Sequence, residues 1–221
     1  MTNEEILQQL YDETLVGHAP QVKELTQQGI DAGIPPTTML FEALIPALEE
    51  VGARFERGDW FVPEMLIAGR AMSGALAMLR PLLAATGTDT IGKFVMGTVK
   101  GDVHDIGKNL VNIMLEGAGF TVIDLGVQVP PDKFIAAIEE HKPDIVGMSA
   151  FLTTTMPMFK ANINAIEKAG LRDKVIIMVG GAPVTQEYAD VCGADGYAAD
   201  AATAVRRAKD LLAAKRAGAS V

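Results

Sequence analysis

The most chemically suggestive stretch of the chain is a loop of glycines and charges, Lys100-Gly101-Asp102-Val103-His104-Asp105-Ile106-Gly107-Lys108-Asn109. Asp102 can accept a hydrogen bond from one ring nitrogen of His104 and leave the other lone pair aimed outward. That arrangement orients and strengthens an imidazole metal ligand. Gly107 lets the backbone lie close to a large flat group and to the opening turn of a helix. A solvent-facing histidine and a general base steadied by its aspartate are the competing readings. Two phosphate-binding readings fail. A Walker-type loop needs four residues between its glycines, then Lys and Ser/Thr. Here five separate Gly101 from Gly107, Asn109 stands where the hydroxyl belongs, and Asp102 and Asp105 would repel phosphate. No strand-like run is followed by G-x-G-x-x-G, so a Rossmann dinucleotide site fails as well.

One histidine cannot hold a bare metal ion against water, because zinc sites need three or four protein ligands. His18 lies in the helical half, and His141 ends a helix before Lys142-Pro143. A metal on His104 therefore requires a cofactor that brings the remaining ligands. Two further loops fit a large guest. Ser149-Ala150-Phe151-Leu152-Thr153-Thr154-Thr155-Met156 is rich in hydroxyls with apolar residues between them, and Gly180-Gly181-Ala182-Pro183 leaves room beside backbone. Taken singly, a Ser/Thr cluster is an ordinary helix cap and Gly-Gly-Pro an ordinary turn. Together they outline one slot beside His104.

The elements that must position these loops are read from periodicity. Residues 1–85 show helical spacing: Ile6, Leu7, Leu10 and Leu15 after a cap at Asn3, then Val22 and Leu25 after Pro20. A third helix from Thr37 carries Leu40, Leu44, Leu48 and Val51, and a fourth runs from Pro63 toward Leu83. Four amphipathic helices with short turns predict a small bundle. Thr86 to Ile91 reads as a linker. Residues 92–221 alternate strand and helix. Strands are expected at Phe94–Val99, Thr121–Leu125, Asp144–Ser149, Val175–Val179 and Gly196–Ala198. Five such units predict a parallel α/β/α sheet, wound in the flavodoxin-like order, with ligands at the carboxyl ends of the strands.

The chain has 221 residues with 49% hydrophobic and 21% charged, which excludes disordered and collagenous classes. The net charge of −9 is uneven: 5 Lys+Arg face 12 Asp+Glu in residues 1–85, and 14 face 16 beyond. The absence of a basic face argues against nucleic acid. The single Cys192 excludes an internal disulfide and suggests a reducing compartment. No charged start leads into an apolar run, and none reaches the ~18 residues of a membrane span, so a cytoplasmic protein is expected.

Asp102-x-His104-x-x-Gly107, then 41 residues, Ser149-x-Phe151, then 28 residues, Gly180-Gly181 resembles the D-x-H-x-x-G…S-x-L…G-G signature of cobalamin-binding domains. Phe151 departs from it, standing where the pattern has leucine. The helical half resembles the cap module that precedes this domain in methionine synthase. The whole chain is similar to the small corrinoid proteins of methanol, methylamine and methoxy-aromatic methyltransferase systems.

The resemblance implies a cobalamin or related corrinoid whose cobalt cycles between methylcobalamin and cob(I)alamin states, with His104 as the lower axial ligand. It implies that Asp102 and Thr155 form a relay behind His104, and that Gly101, Val103, Asp105, Ile106 and Gly107 contact the corrin. Ser149, Phe151, Leu152 and Thr153 would line the slot for the displaced nucleotide tail. Gly180, Gly181 and Ala182 would leave it space, and Gly196-Tyr197 would approach its far end. Phe55, Val62, Met65 and Leu66 would cap the upper face. Implied partners are a substrate-specific methyltransferase, an acceptor-side methyltransferase using tetrahydrofolate or a thiol, and a reductive activator. A cobalamin sensor or store, and the small subunit of an adenosylcobalamin mutase, are the alternatives. The first lacks an output element, and the helical cap speaks against the second. A receiver-type switch would need acids around a phosphorylatable Asp that are not present.

Overall fold

The computed structural model describes residues 1–85 and 90–218. The predicted linker's residues 86–89 lie outside them. The chain divides into two compact units, one holding Met1–Thr90 and Glu116–Gly119, the other Ile91–Leu115 and Phe120–Val221.

The first unit is helical. α1 (Asn3–Val16) starts on a capping box in which Thr2 accepts from the Glu5 N–H and Glu5 accepts from the Thr2 N–H. The cap is thus Thr2 rather than Asn3. Both residue types cap helices, but only Thr2 has a Glu three residues on. α2 (Ala19–Asp31) has Pro20 in its first turn, where the missing N–H costs nothing. The expected third helix is three pieces: α3 (Pro36–Thr38), a π-helical run Met39–Leu44, and α4 (Ile45–Glu56). The π turn precedes Pro46, which cannot donate back to the preceding turn. α5 (Val62–Ala85) packs against α1, α2 and α4, burying Met65, Ala68, Met72, Ala75 and Leu79. Its Val62–Leu79 stretch, with mean hydropathy 1.2, matches a membrane span by length and composition. The sequence reading expects no apolar stretch of that length; here the apolar side chains Met65, Ala68, Met72, Ala75 and Leu79 are buried within the helical unit.

The second unit is a five-stranded parallel sheet: β1 (Lys93–Thr98), β2 (Thr121–Asp124), β3 (Ile145–Ser149), β4 (Ile176–Gly180) and β5 (Gly196–Ala198). Its order, β2-β1-β3-β4-β5, is the expected flavodoxin-like one. The helices between and after the strands are α6 (Ile106–Gly117), α7 (Pro131–His141), α8 (Pro157–Lys168), α9 (Gln186–Cys192) and α10 (Ala201–Arg216). β1, β3 and β4 are buried along nearly their whole length, so they read as continuous apolar runs rather than alternations. Val95, Val146, Met148, Ile177 and Val179 meet Phe134, Phe159, Ile163 and Ala189 in one core. In register, Thr98 pairs with Ser149 and Ser149 with Gly180. The three candidate loops therefore leave the sheet at one level of its carboxyl edge.

Candidate cofactor site

The site is organised around one buried carboxylate. Asp102 has no exposed surface and lies in the turn that Gly101, at φ +86°, makes possible. Its Oδ1 accepts from the backbone N–H of His104 at 3.0 Å and lies 2.7 Å from His104 Nδ1. Its Oδ2 accepts from the Thr155 hydroxyl at 2.7 Å and from the backbone N–H groups of Phe151 at 2.8 Å and Leu152 at 3.2 Å. Burial alone would raise the Asp102 carboxyl. The donors, led by the His104 N–H and the Thr155 hydroxyl, instead hold it far below the usual carboxylate range. A fixed anion on Nδ1 selects the tautomer protonated there and leaves the lone pair on Nε2.

Asp102, His104, Phe151, Leu152 and Thr155 are thus brought together from two loops. The His104 side chain is 43% exposed, and the Phe151 ring stacks on it with centroids 4.4 Å apart and planes 27° apart. The Thr98 hydroxyl donates to the His104 carbonyl, fixing the loop to β1. Val103, Ile106, Phe151 and Leu152 are exposed large apolar side chains at this edge, and Asp105 and Thr153 are exposed beside them. Ser149 is half-buried at the end of β3.

The glycines divide by reason. A Cβ on Gly107 would meet nothing within 4 Å, so no protein neighbour requires that glycine. A Cβ on Gly181, at φ +133°, would collide with the Ala150 carbonyl, and one on Gly180 would press the Ala198 carbonyl. Gly196 opens β5 two residues short of the edge and lies against Leu211 and Met178, so packing of α10 accounts for it. The half-buried Tyr197 follows it, and Ala182 is exposed between Gly181 and Pro183.

Within the helical unit, Met65 is fully buried, Phe55 and Leu66 are half-buried, and Val62 is exposed. The most exposed apolar ring of that stretch is Phe61, at 66%. Sequence reasoning missed two features of the site. The Phe151 and Leu152 N–H bonds to Asp102 span 49 and 50 residues and involve no side chain of their own. Lys108, only 2% exposed, ends 2.6 Å from Asp124 and 2.7 Å from the Asn109 side-chain oxygen, tying the start of α6 to the end of β2. Flanked by Gly107 and Asn109, it carries no sequence signal that it faces inward.

Among the described residues no group of three or more His, Cys, Asp or Glu could hold a metal ion. A single imidazole with a fixed tautomer, an open glycine and a rim of exposed apolar side chains suits a flat, metal-bearing macrocycle that carries its own equatorial ligands.

Comparison with known proteins agrees with that chemistry. Residues 92–206 match a family described as "B12 binding domain", and residues 6–80 match a second family so described. The chain is 43% identical over 215 residues to the dimethylamine corrinoid protein of Methanosarcina barkeri, covering 96% of this chain and 100% of that one. Its fold resembles a chain of the methanol:cobalamin methyltransferase complex from Methanosarcina barkeri, at 30% identity and TM-score 0.84, covering 95% of this chain and 80% of that one. It also resembles a cobalamin-binding protein from Desulfitobacterium hafniense, at 29% identity and TM-score 0.74, covering 90% and 95%. The chain belongs to the B12-binding family of corrinoid proteins, and its cofactor is a cobalamin or related corrinoid.

Proposed function

We propose that this chain is a methyl carrier. It holds a corrinoid at the carboxyl edge of its sheet, with His104 Nε2 as lower ligand, and serves two methyltransferases in turn. One takes the methyl group from a small substrate, and the other passes it to tetrahydrofolate or a thiol. A reductive activator restores the cofactor after oxidation. The observation that carries the reading is the single imidazole held at Nδ1 by a buried carboxylate. The corrinoid, when bound, supplies a cobalt that accepts and releases the methyl group.

The chain's own residues orient the ligand. Asp102 keeps the proton on Nδ1 and the lone pair on Nε2, and Thr155 with the Phe151 and Leu152 N–H groups keeps Asp102 charged and still. An Nε2 that holds no metal would be open to a proton, and the Asp102 carboxylate at Nδ1 would steady the imidazolium so formed. Gly101, Val103, Asp105, Ile106 and Gly107 form the seat of the macrocycle. Ser149, Thr153, Gly180, Gly181 and Ala182 line the path of its tail.

The test is the absorption spectrum of purified protein after mixing with hydroxocobalamin and desalting, compared before and after acid release. Retained colour with an altered spectrum is expected. His104→Ala should retain the corrinoid but lose the spectral change and shift the cobalt reduction equilibrium. A protein left colourless, or a His104→Ala spectrum equal to wild type, sinks the reading. Similarity to a dimethylamine corrinoid protein makes methylamines the donors to assay first, against methanol, betaines and methoxy-aromatics.

A further inference from the structure

The Phe151 ring is 51% exposed and takes no part in the buried core around β3, yet it lies flat on the His104 imidazole. Its backbone is not free to drift, because its N–H donates to Asp102 Oδ2 while Oδ1 of the same carboxylate holds the imidazole. Two contacts at Oδ1 hold the backbone and one edge of the imidazole, but a single hydrogen bond at Nδ1 still tolerates rocking of the ring about the Cβ–Cγ bond. A partner stacked on the face restricts that rocking. Cobalt approaches Nε2 in the plane of the ring, so a partner on its face leaves coordination open. The family pattern carries leucine here, which has no ring to stack.

We propose that Phe151 is a positioning residue for the axial ligand: its ring clamps the face of His104 and presets the plane in which Nε2 meets the cobalt. The proposal rests on the corrinoid reading above and deepens it.

Phe151→Leu restores the family residue, and at a half-exposed loop position it should leave the melting temperature unchanged. Two measurements decide the matter. In the apo protein, the proton resonances of the His104 ring should be shifted upfield by the neighbouring ring in wild type and relax in Phe151→Leu. In titrations with aquacobinamide, which has no lower base of its own, Phe151→Leu should weaken binding roughly fivefold, the range of one aromatic pair. Phe151→Tyr should restore both signals. On a His104→Ala background the same change should have no effect on cobinamide affinity.

An equal loss on both backgrounds would make Phe151 a mere wall of the pocket and overturn the proposal. Unchanged His104 resonances in Phe151→Leu would overturn it too. Failure of wild type to retain hydroxocobalamin as well as cobinamide would instead remove the corrinoid reading, and with it the ligand role of the clamp, whatever the resonances show.

Discussion

A Cβ placed on Gly181 would collide with the carbonyl oxygen of Ala150. The loops after β3 and β4 therefore touch backbone to backbone, with the Ala150 N–H donating to the Gly180 carbonyl at 3.1 Å. Gly181→Ala combines this clash with a φ of +133° that side chains rarely adopt. It should cost about 2–4 kcal/mol in denaturant unfolding of the corrinoid-free protein. A variant as stable as wild type would show that the two loops do not meet.

Gly107→Ala should behave oppositely. The position is helical with open space beside it, so alanine should leave apo stability equal or raise it by up to about 1 kcal/mol. Corrinoid retention after desalting should nonetheless fall, because on the proposed seat a methyl group would take space that the macrocycle needs. Full retention would mean that the opening serves no guest.

Asp102 makes acid a specific threat to the α/β unit. Its folded carboxyl titrates below the unfolded value near pH 4, so its stabilisation is complete above that range and is lost as pH falls through the folded value. Unfolding followed from about pH 6 down to pH 2 should show stability declining below about pH 4. Asp102→Asn should flatten that slope and cost about 2–4 kcal/mol near neutrality, because an amide cannot satisfy so many donors. Thr155→Val, which removes one donor to the anion, should cost about 1.5–3 kcal/mol.

The Lys108–Asp124 pair is asymmetric, with Lys108 2% and Asp124 39% exposed. Lys108→Met replaces a buried ammonium with an apolar chain of similar length and leaves a carboxylate that water can reach. A change under about 1 kcal/mol is expected. Asp124→Asn leaves the buried ammonium with neutral acceptors alone, the Asn109 side-chain oxygen among them, and should cost more, about 2–3 kcal/mol. Chemical denaturation of the two variants side by side checks the order, and the reverse order would contradict the burial of Lys108.

Periodicity was sufficient for the architecture because β1, β3 and β4 are short apolar runs punctuated by Gly, Pro and Asp, and each following helix shows its own 3.6-residue stripe. It could not reveal the π turn at Met39–Leu44, since one extra residue in a turn leaves Leu40, Leu44 and Leu48 still spaced like an α-helix. At the site, the partnership of Asp102 with His104 was legible because the two residues are neighbours in a turn. Its bonds to the Phe151 and Leu152 backbone were not, because an N–H has no sequence signature. The second glycine of the Gly180-Gly181 pair reads as space for a ligand from sequence, whereas its nearest neighbour is the protein's own Ala150 carbonyl.

The five hydrogen bonds gathered on Asp102 have a consequence for transplantation. The loops after β1 and β3 share one anchor, so neither can be exchanged for a homologous segment without re-seating the other. A chimera that imports a foreign β1 loop should misplace its histidine unless residues 149–156 travel with it. Swapping both together preserves the whole ligand mount as a single cassette.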